Sequence, residues 1–383
     1  MVDVTEFATD PTLEALRQEM VRAEPPSQRV YLGGSAIGKP CERELWYSLR
    51  WVLESIYDAD TLARFSDGHA SEAIVAERLR RVPGLRLWTE QEDGKQYGFE
   101  ALGGHVRGHL DGILKGLLQQ PKTAAIWEHK CTAEKYFRSL KKRKAELGEK
   151  NALEHWNATY FGQAQLYMGV SGYKRHYMTV ATPGSRELTS VRTDFQPEVY
   201  EALIEKAKRI VFSSEAPMRI SNKPEGFPCR WCDFKDNCHG TKAARVNCRS
   251  CAHSTAQEDG TWRCDYHGKR LSIKDQRAGC PKHLYIPDLL PYADVVDMDQ
   301  DANTITYMTP GGQKFTNAET NDWGNYQFTS KDLQHLDANV LENTTDFFAG
   351  MAVFDKASIK EVVKAKEKPK PVFEEASITN SNG

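Results

Sequence analysis

The stretch HVRGHLDGILKGLLQQPKTAAIWEHK, residues 105–130, predicts two neighbouring strands that carry ionisable side chains within largely apolar sequence. Asp111 lies in the first predicted strand, residues 105–116, whereas Glu128 and Lys130 lie in the second, residues 123–130, and QQPK forms the turn between the strands. Ionised side chains are costly to bury unless they are paired or bind a metal. We therefore expect these three residues either to pair with one another or to bind a metal.

Alternate residues of a strand point to the same face, so we expect Glu128 and Lys130 to project together and His129 to point away. Pairing of the two strands would bring Asp111 beside them. Two carboxylates can hold Mg²⁺ or Mn²⁺, which activates water and offsets phosphate charge, and a lysine can orient the nucleophile or stabilise negative charge. The cluster therefore indicates phosphodiester hydrolysis, although spacing alone favours an ordinary ion pair at a strand end.

Three further features favour the hydrolytic interpretation when they are taken together. His69 lies on a predicted helix, residues 61–81, and imidazole is a good ligand for Mn²⁺, although a single helix histidine is usually structural. Gln163 and Tyr167 are four residues apart and share the face of another predicted helix, residues 154–170. A run of basic residues that could contact a DNA backbone follows Lys130: Lys135, Arg138, Lys141, Lys142, Arg143 and Lys144.

Composition indicates a soluble globular protein of two or three domains, because the 383 residues are 40% hydrophobic and 27% charged. No apolar run is long enough for a membrane span, and the N-terminus lacks the pattern of a signal peptide, so we expect a protein of the bacterial or phage-infected host cytoplasm. Residues 284–383 carry 8 Lys or Arg against 16 Asp or Glu, whereas residues 1–283 carry 43 against 37. The front of the chain is mildly basic and the back is acidic.

The motifs DGH, GHLDG, EHK and QAQLY occur in this order, and the set resembles the RecB-like branch of the PD-(D/E)XK nuclease superfamily across residues 30–240. The resemblance implies a restriction-endonuclease-like α/β fold with a mixed sheet flanked by helices, which the order of predicted elements also favours. It implies that His69, Asp111, Glu128 and the His129 carbonyl bind metal. It further implies that Lys130 is catalytic, and that Gln163 and Tyr167 support the site and touch DNA.

The nine cysteines divide into two groups of four, with Cys131 left over as a lone thiol. The segment FPCRWCDFKDNC places Cys229, Cys232 and Cys238 after the nuclease-like core, and Cys41 lies before it. RecB-like iron–sulfur nucleases, such as the CRISPR-adaptation exonucleases and AddB-type proteins, have this layout. The resemblance therefore implies a 4Fe–4S cluster, and zinc in the same four thiolates is the alternative.

The second group has the spacing C-x2-C-x12-C-x15-C and predicts a zinc-ribbon-like site. Its members are Cys248, Cys251, Cys264 and Cys280, with His253, His267 and His283 as available substitutes. The site is either a purely structural staple or the base of a hairpin that grips single strands through aromatic and basic residues. That hairpin would present Trp262, Arg263, Tyr266, Lys269 and Arg270.

The resulting domain prediction has four parts. A nuclease domain with an iron–sulfur cluster covers residues 1–245, and a zinc-ribbon-like segment covers 246–284. A small acidic β-containing region covers 285–350, and a flexible tail covers 351–383. The predicted function is a Mg²⁺- or Mn²⁺-dependent DNA nuclease of the exonuclease type that acts in recombination, repair or phage DNA metabolism. No helicase-type phosphate loop occurs, so unwinding would need a helicase or recombination partner. The alternatives are a non-catalytic nucleic-acid-binding protein and a zinc-ribbon adaptor.

Overall fold

The computed structural model describes residues 10–24, 28–336 and 338–343. The predicted tail, residues 351–383, and the end of the predicted acidic region lie outside the described residues. The helices are α1 Pro11–Ala23, α2 Glu42–Leu49, α3 Ala59–Arg80, α4 Glu134–Leu147, α5 Ala152–Trp156, α6 Ala158–Ser171, α7 Pro197–Phe212, α8 Lys235–His239, α9 Ile273–Ala278, α10 Ser330–Leu333 and α11 Ala338–Glu342. None of these helices combines the length and apolar character needed to cross a bilayer.

The strands form four sheets in the described part of the chain. They are β1 Leu32–Gly33, β2 Arg86–Trp88, β3 Tyr97–Ala101, β4 Val106–Leu110, β5 Gly112–Lys115, β6 Ala125–Cys131, β7 Arg175–Ala181, β8 Leu188–Asp194, β9 Ser254–Ala256, β10 Trp262–Cys264, β11 Lys269–Leu271, β12 Asp294–Asp299, β13 Thr304–Met308, β14 Lys314–Asn317 and β15 Gln327–Phe328. The largest sheet has the order β2-β5-β6-β7-β8.

This central sheet is mixed and is flanked by helices, as predicted. Strands β6 and β7 are parallel, because the chain returns through α4, α5 and α6, and the other neighbours are antiparallel. Strand β6 is buried over its first five residues. Helix α3 covers the face to which His129 points, and helix α6 covers the face to which Glu128 points.

Two local predictions differ from the structure, and one further helix was not predicted. The single strand predicted over 105–116 breaks at Asp111, so that β4 joins a three-stranded sheet of order β1-β4-β3 and β5 joins the central sheet. The helix predicted over 154–170 is interrupted at Asn157, whose side chain accepts a hydrogen bond from the Tyr160 backbone and caps α6. The basic run after β6 forms α4, which buries Phe137 and Leu140 at helical spacing.

One apolar core extends from the central sheet into β9–β11 and the C-terminal sheet β12-β13-β14-β15. It therefore crosses both predicted boundaries, 245/246 and 284/285, and the domain division stays a prediction. The clearest link between these parts is Trp262 of β10, which is 1% exposed. The guanidinium groups of Arg50 and Arg249 lie over its ring, 5.0 and 4.8 Å from a ring centroid.

Both arginines of this link donate to backbone carbonyls rather than to carboxylates. Arg50 bonds the carbonyls of Ser213, Arg249 and Ser254, and Arg249 bonds those of Val30 and Leu49. Burial lowers the pKa of each guanidinium to about 9, so both remain cations at neutral pH. The stack therefore fastens α2 to the segment that contains the second cysteine group.

We expect Trp262→Ala to lower the free energy of unfolding by about 3–5 kcal/mol, because it opens a cavity under two buried guanidinium groups. Urea denaturation followed by near-ultraviolet circular dichroism measures the change. The matched control is Trp88→Ala, at a tryptophan that is 41% exposed, and it should cost less than about 1 kcal/mol. Equal effects of the two substitutions would contradict this account of the link.

Candidate functional site

Asp111 lies where the chain leaves one sheet and enters another, between β4 and β5. The antiparallel register of β5 and β6 sets Gly112 opposite Trp127, which places Asp111 beside the next residues of β6. The Oδ2 atom of Asp111 accepts a hydrogen bond from the His129 backbone, with an N–O distance of 2.8 Å. The strand break therefore fixes the carboxylate of Asp111 against β6.

Glu128 lies at the centre of the cluster and is 1% exposed. Its Oε1 atom accepts hydrogen bonds from Lys130 Nζ at 2.5 Å and from Gln163 Nε2 at 2.7 Å. Its Oε2 atom has no hydrogen-bond partner among the described residues. Tyr167 lies one turn beyond Gln163 on α6 and is buried, as Gln163 is. The structure thus brings together Glu128, Lys130, Gln163 and Tyr167.

Burial dominates the electrostatics of this cluster. It raises the pKa of Asp111 to about 6, and it raises the pKa of Glu128 to about 7 with a further contribution from Asp111. Burial by itself would lower the pKa of Lys130, but Glu128 and Asp111 outweigh it and hold that pKa above its ordinary value. Lys130 is therefore a cation at neutral pH, and the two carboxyl groups are held near the point of ionisation.

Sequence reasoning missed Glu72, a further carboxyl group of this site. Burial raises its pKa, and the charge of Glu128 raises it further. Glu72 lies three residues after His69 on α3, and both side chains line the cleft that also exposes Asp111 and Lys130. The signal was present in DGHASE, because residues at i and i+3 share a helix face.

The side chain of His129 points away from the cluster, as strand alternation predicts. Its Nε2 atom lies 2.8 Å from Ser71 Oγ, and its Nδ1 atom lies 3.0 Å from Thr179 Oγ1, which also accepts a bond from Trp127 Nε1. Burial lowers the pKa of His129 to about 4, so the ring is neutral. With both ring nitrogens engaged, His129 could reach a metal ion through its carbonyl oxygen.

The cluster opens into a large cleft with a volume of about 1170 Å³. Asp111, Lys130 and His69 line it, and so do Asp233 and Phe234. These last two residues directly follow Cys232 of the first cysteine group. The candidate reactive centre and the first cysteine group therefore adjoin the same cleft.

The thiols of the first cysteine group lie close enough to interact electrostatically. Cys41 is the N-cap residue of α2, and Cys238 lies on α8. The pKa of Cys229 is raised by burial and also by the neighbouring thiols of Cys238 and Cys41, and burial raises that of Cys232 to about 11. The group thus brings the start of α2 near the segment that follows α7, and the iron–sulfur staple stays a prediction.

The four thiols of the second cysteine group and three histidines line one small pocket. These lining residues are Cys248, Cys251, Cys264, Cys280, His253, His267 and His283. Burial raises the pKa of Cys248 to about 11 and that of Cys251 to about 12. His253 is hydrogen-bonded to Asn303 and His283 to Ser250. The Nε2 atom of His267 lies 3.8 Å from Cys280 Sγ. His267 is therefore the histidine best placed to act as a ligand in place of a thiol.

The predicted single-strand-gripping hairpin needs a correction. Trp262 is buried under Arg50 and Arg249, so it cannot stack on a ligand. Trp262 belongs to the core because β10 alternates, and Trp262 and Cys264 share its inner face. The other predicted members are exposed: Arg263, Tyr266, Lys269 and Arg270.

Within residues 10–24, 28–336 and 338–343, no group of three or more His, Cys, Asp or Glu side chains is arranged to hold a metal ion. The donor chemistry nevertheless fits a hard cation at Asp111 and Glu128, because Glu128 Oε2 is a buried acceptor with no partner among these residues. Magnesium sites commonly use one or two carboxylates and keep several waters. Two carboxylates and a backbone carbonyl are therefore a sufficient set.

No protein-family model and no curated protein sequence matches this chain. Solved structures align with part of it. The structure of SSO0001 is 11% identical, covers 59% of this chain and 96% of its own, and has a TM-score of 0.36. The alkaline exonuclease LHK-Exo from Laribacter hongkongensis is 14% identical, with coverages of 50% and 90% and a TM-score of 0.34.

A phage-related exonuclease from Haemophilus somnus is 13% identical, covers 44% of this chain and 78% of its own, and has a TM-score of 0.30. Identities and TM-scores of this size support no functional assignment by themselves.

His176 lies in β7, beside the strand that carries the cluster, and it is completely buried. Neither ring nitrogen has a hydrogen-bond partner among the described residues. Burial lowers the pKa of His176 to about 3, and the positive charge of Lys130 lowers it further. The folded protein therefore keeps this imidazole neutral at a pH where the unfolded chain protonates it.

We expect His176→Leu to make the folded protein more resistant to acid. Below the unfolded pKa of about 6.5, His176 binds a proton in the unfolded chain and not in the folded protein. This residue therefore lowers the free energy of unfolding by about 2 kcal/mol as the pH falls from 7 to 5. Urea denaturation at pH 7 and pH 5 should show that the free energy of unfolding falls in wild type and falls less in the variant. His335→Leu, at an exposed histidine, should leave the wild-type loss unchanged. If the free energy of unfolding of His176→Leu depends on pH as in wild type, the conclusion that the folded protein keeps His176 neutral is wrong.

Proposed function

We propose that this chain is a metal-dependent nuclease that hydrolyses phosphodiester bonds in DNA, with Asp111, Glu128 and Lys130 at its centre. The observation that carries the proposal is the state of Glu128. This carboxylate is buried, Lys130 and Gln163 both bond its Oε1 atom, and its Oε2 atom has no partner among the described residues. A second carboxylate, Asp111, lies beside it at an open cleft.

A structural ion pair does not account well for this arrangement. A buried pair is favourable when hydrogen bonds satisfy its remaining polar atoms, and an unsatisfied carboxylate oxygen is costly. Here burial and a neighbouring carboxyl group raise the pKa of Glu128, which makes its charged form unfavourable. A divalent cation between the carboxylates would remove both the repulsion and the unsatisfied oxygen.

The residues that would hold Mg²⁺ or Mn²⁺ are Asp111, Glu128 and the carbonyl of His129, and His69 and Glu72 lie in the same cleft. A bound divalent ion supplies a water of lowered pKa and offsets the charge of the phosphate. An imidazole ligand from His69 would disfavour Mg²⁺, which prefers oxygen donors.

The other residues of the cluster position the reacting groups. The ammonium group of Lys130 is 5.3 Å from the ring centroid of Tyr160 and lines the cleft, where it can contact a phosphate oxygen or the nucleophile. Gln163 donates to Glu128 Oε1 and holds the carboxylate in place. Tyr167 lies on the next turn of α6 and packs edge-to-face on Phe99, with ring centroids 4.9 Å apart.

DNA as the substrate is supported by the charge of α4, which begins three residues after β6. This helix carries six basic residues against Glu134 and Glu146, and most of its basic side chains are exposed. Several of them form ion pairs along the helix, including Arg138 with Glu134 and Lys142 with Glu146. Such pairs are weak in water and exchange readily for phosphate contacts. A recombination or repair setting with a helicase partner remains part of the proposal.

Asp111→Asn and Lys130→Ala should each reduce Mn²⁺-dependent digestion of end-labelled DNA by about 100-fold or more, because each removes a group that acts on the reacting phosphate. Thermal unfolding should show that both variants are folded. Matched controls are Glu205→Gln and Lys208→Ala, which alter an exposed ion pair on α7 and should cleave like wild type. If wild type itself shows no metal-dependent cleavage, the chain is instead a binding protein.

We further propose that the first cysteine group holds a 4Fe–4S cluster and the second holds zinc. Four thiols are the usual ligands of both centres, and metal binding would stabilise the thiolates that burial disfavours. In the first group, Cys229 and Cys232 interact electrostatically with Cys41 across the sequence gap. In the second, all four thiols line one pocket. Both centres would serve as staples, with no redox step.

Anaerobic purification should yield about four iron and four sulfide ions and about one zinc ion per chain. Cys232→Ser should lose iron and keep zinc, whereas Cys264→Ser should lose zinc and keep iron, because the two groups occupy separate parts of the fold. Elemental analysis and visible absorption measure both. Two zinc ions and no iron would refute the cluster.

A further inference from the structure

We infer that the large cleft is a docking surface for a segment of the same chain, KAKEKPKPVF at residues 364–373, which we call the basic segment. Docking would cover Asp111 and Lys130, which line the cleft. A regulatory effect on cleavage therefore rests on the proposed function. The docking itself does not, because it is measured as peptide binding without metal or DNA.

The charge of the cleft favours a basic occupant. Among the described residues that line it, carboxylates outnumber lysines and arginines, and both Lys39 and Lys130 are already paired with a glutamate. The exposed carboxylates of this described lining are Glu24, Glu54, Asp58 and Asp233, against the exposed Arg29 and Arg64. A cleft lined mainly by one sign of charge concentrates the opposite charge. The occupant is therefore expected to be positively charged.

An exposed apolar patch lies beside these carboxylates. Ile56, Tyr57 and Phe65 are 64%, 42% and 46% exposed, and all three line the cleft. The rings of Tyr57 and Phe65 contact each other edge-to-face, with centroids 5.0 Å apart. Exposed apolar side chains in a concave surface commonly mark a binding site. An occupant that fits both features carries apolar side chains as well as positive charge.

The basic segment has both features in its sequence. Its four lysines are Lys364, Lys366, Lys368 and Lys370, and its single carboxylate is Glu367. Val372 and Phe373 end the segment and supply apolar side chains, and Pro369 and Pro371 lie between the last lysines and this apolar end. Proline-containing peptides dock on grooves lined by aromatic rings. The segment is therefore complementary to the cleft in charge and in apolar character.

The C-terminal part of the described chain lies near the cleft. Gln334 of α10 accepts a hydrogen bond from the Val246 backbone at 2.7 Å, and the preceding residue, Arg245, forms an ion pair with Glu54 at 3.3 Å. Glu54 lines the cleft. About 20 residues separate the end of the described chain from the basic segment, and they can span up to about 70 Å. Binding within one chain then needs only weak contacts.

The size of the cleft also suits a peptide. Its volume of about 1170 Å³ exceeds the range of about 300–1,000 Å³ that is typical of small-molecule sites. A segment of about ten residues can contact the carboxylates and the apolar patch at once, whereas a small cation can contact only the carboxylates.

The first test is carbodiimide cross-linking of full-length wild type, which joins lysine amines to carboxylates that touch them. Mass spectrometry should map links from the lysines of the basic segment to Glu54, Asp58 or Asp233. A mixture of ¹⁵N-labelled and unlabelled protein should show that these links form within one chain. Salt at about 1 M should suppress them, because the screening length falls to about 3 Å.

The second test is fluorescence anisotropy with a labelled synthetic peptide of residues 362–375. The open variant is the full-length chain in which glutamate replaces the four lysines of the basic segment. It should bind the peptide about tenfold more tightly than wild type, because the wild-type cleft is already occupied by its own segment. Thermal midpoints check that the open variant folds like wild type.

Substitutions in the cleft locate the site of peptide binding. In the open variant, Glu54→Gln combined with Asp58→Asn should raise Kd about tenfold, because two exposed charges are lost. Asparagine at 58 keeps the helix cap, in which the side chain accepts a bond from the Thr61 backbone. The matched control is Glu77→Gln, at an exposed carboxylate of α3 outside the cleft lining, and it should leave Kd unchanged.

Equal Kd of the peptide for wild type and the open variant overturns the inference. Cross-links confined to carboxylates outside the cleft, such as those of β12, also overturn it, and links only between chains would indicate a second copy as the occupant. A scrambled peptide that binds as tightly as the native sequence would show that the cleft takes basic peptides in general, which overturns the assignment to this segment.

The outcomes separate this inference from the proposed function. Docking of the basic segment without any metal-dependent cleavage would refute the proposed nuclease and leave the docking in place. Metal-dependent cleavage with no docking of the segment would refute the docking and leave the nuclease in place.

Discussion

The burial of Asp111, Glu128 and Lys130 is the constraint on which the rest of the site depends. Each charge taken out of water costs several kcal/mol, and the fold offsets that cost by bringing opposite charges together on β6 and at the break before β5. The His129 backbone fixes Asp111, and Gln163 fixes Glu128. Helices α3 and α6 pack on the two faces of this strand, so the cleft is formed around the cluster.

Much of the site could be predicted from the sequence because strand alternation is a local property. It placed Glu128 and Lys130 on one face of β6 and His129 on the other, and helical spacing placed Gln163 and Tyr167 together. The roles of these residues stay predictions. The mixed sheet flanked by helices also followed from the order of elements, and the structure confirms it.

What the sequence did not reveal depended on contacts between distant segments. The break at Asp111 arises because β4 pairs with β1 and β3 while β5 pairs with β2 and β6. Glu72 gains its significance from Glu128, more than fifty residues away. Trp262 looked like an exposed ligand-binding residue because it sits among charges, and only the three-dimensional approach of Arg50 and Arg249 explains its burial. Helix α4 was not predicted because most of its residues are charged or polar, and its packing depends on two buried apolar residues.

The measurement that tests the account most directly is an anomalous difference map from crystals soaked in Mn²⁺ at pH 7.5, where the two carboxyl groups can ionise. The account predicts a peak between Asp111 and Glu128, within reach of the His129 carbonyl, and predicts that Glu128→Gln abolishes it. It also predicts that Glu128 Oε2, which has no partner among the described residues, turns toward the ion. A map with no peak at this position, and with the Lys130–Glu128 pair unchanged, would contradict the metal-dependent nuclease and leave the cluster as a structural ion pair.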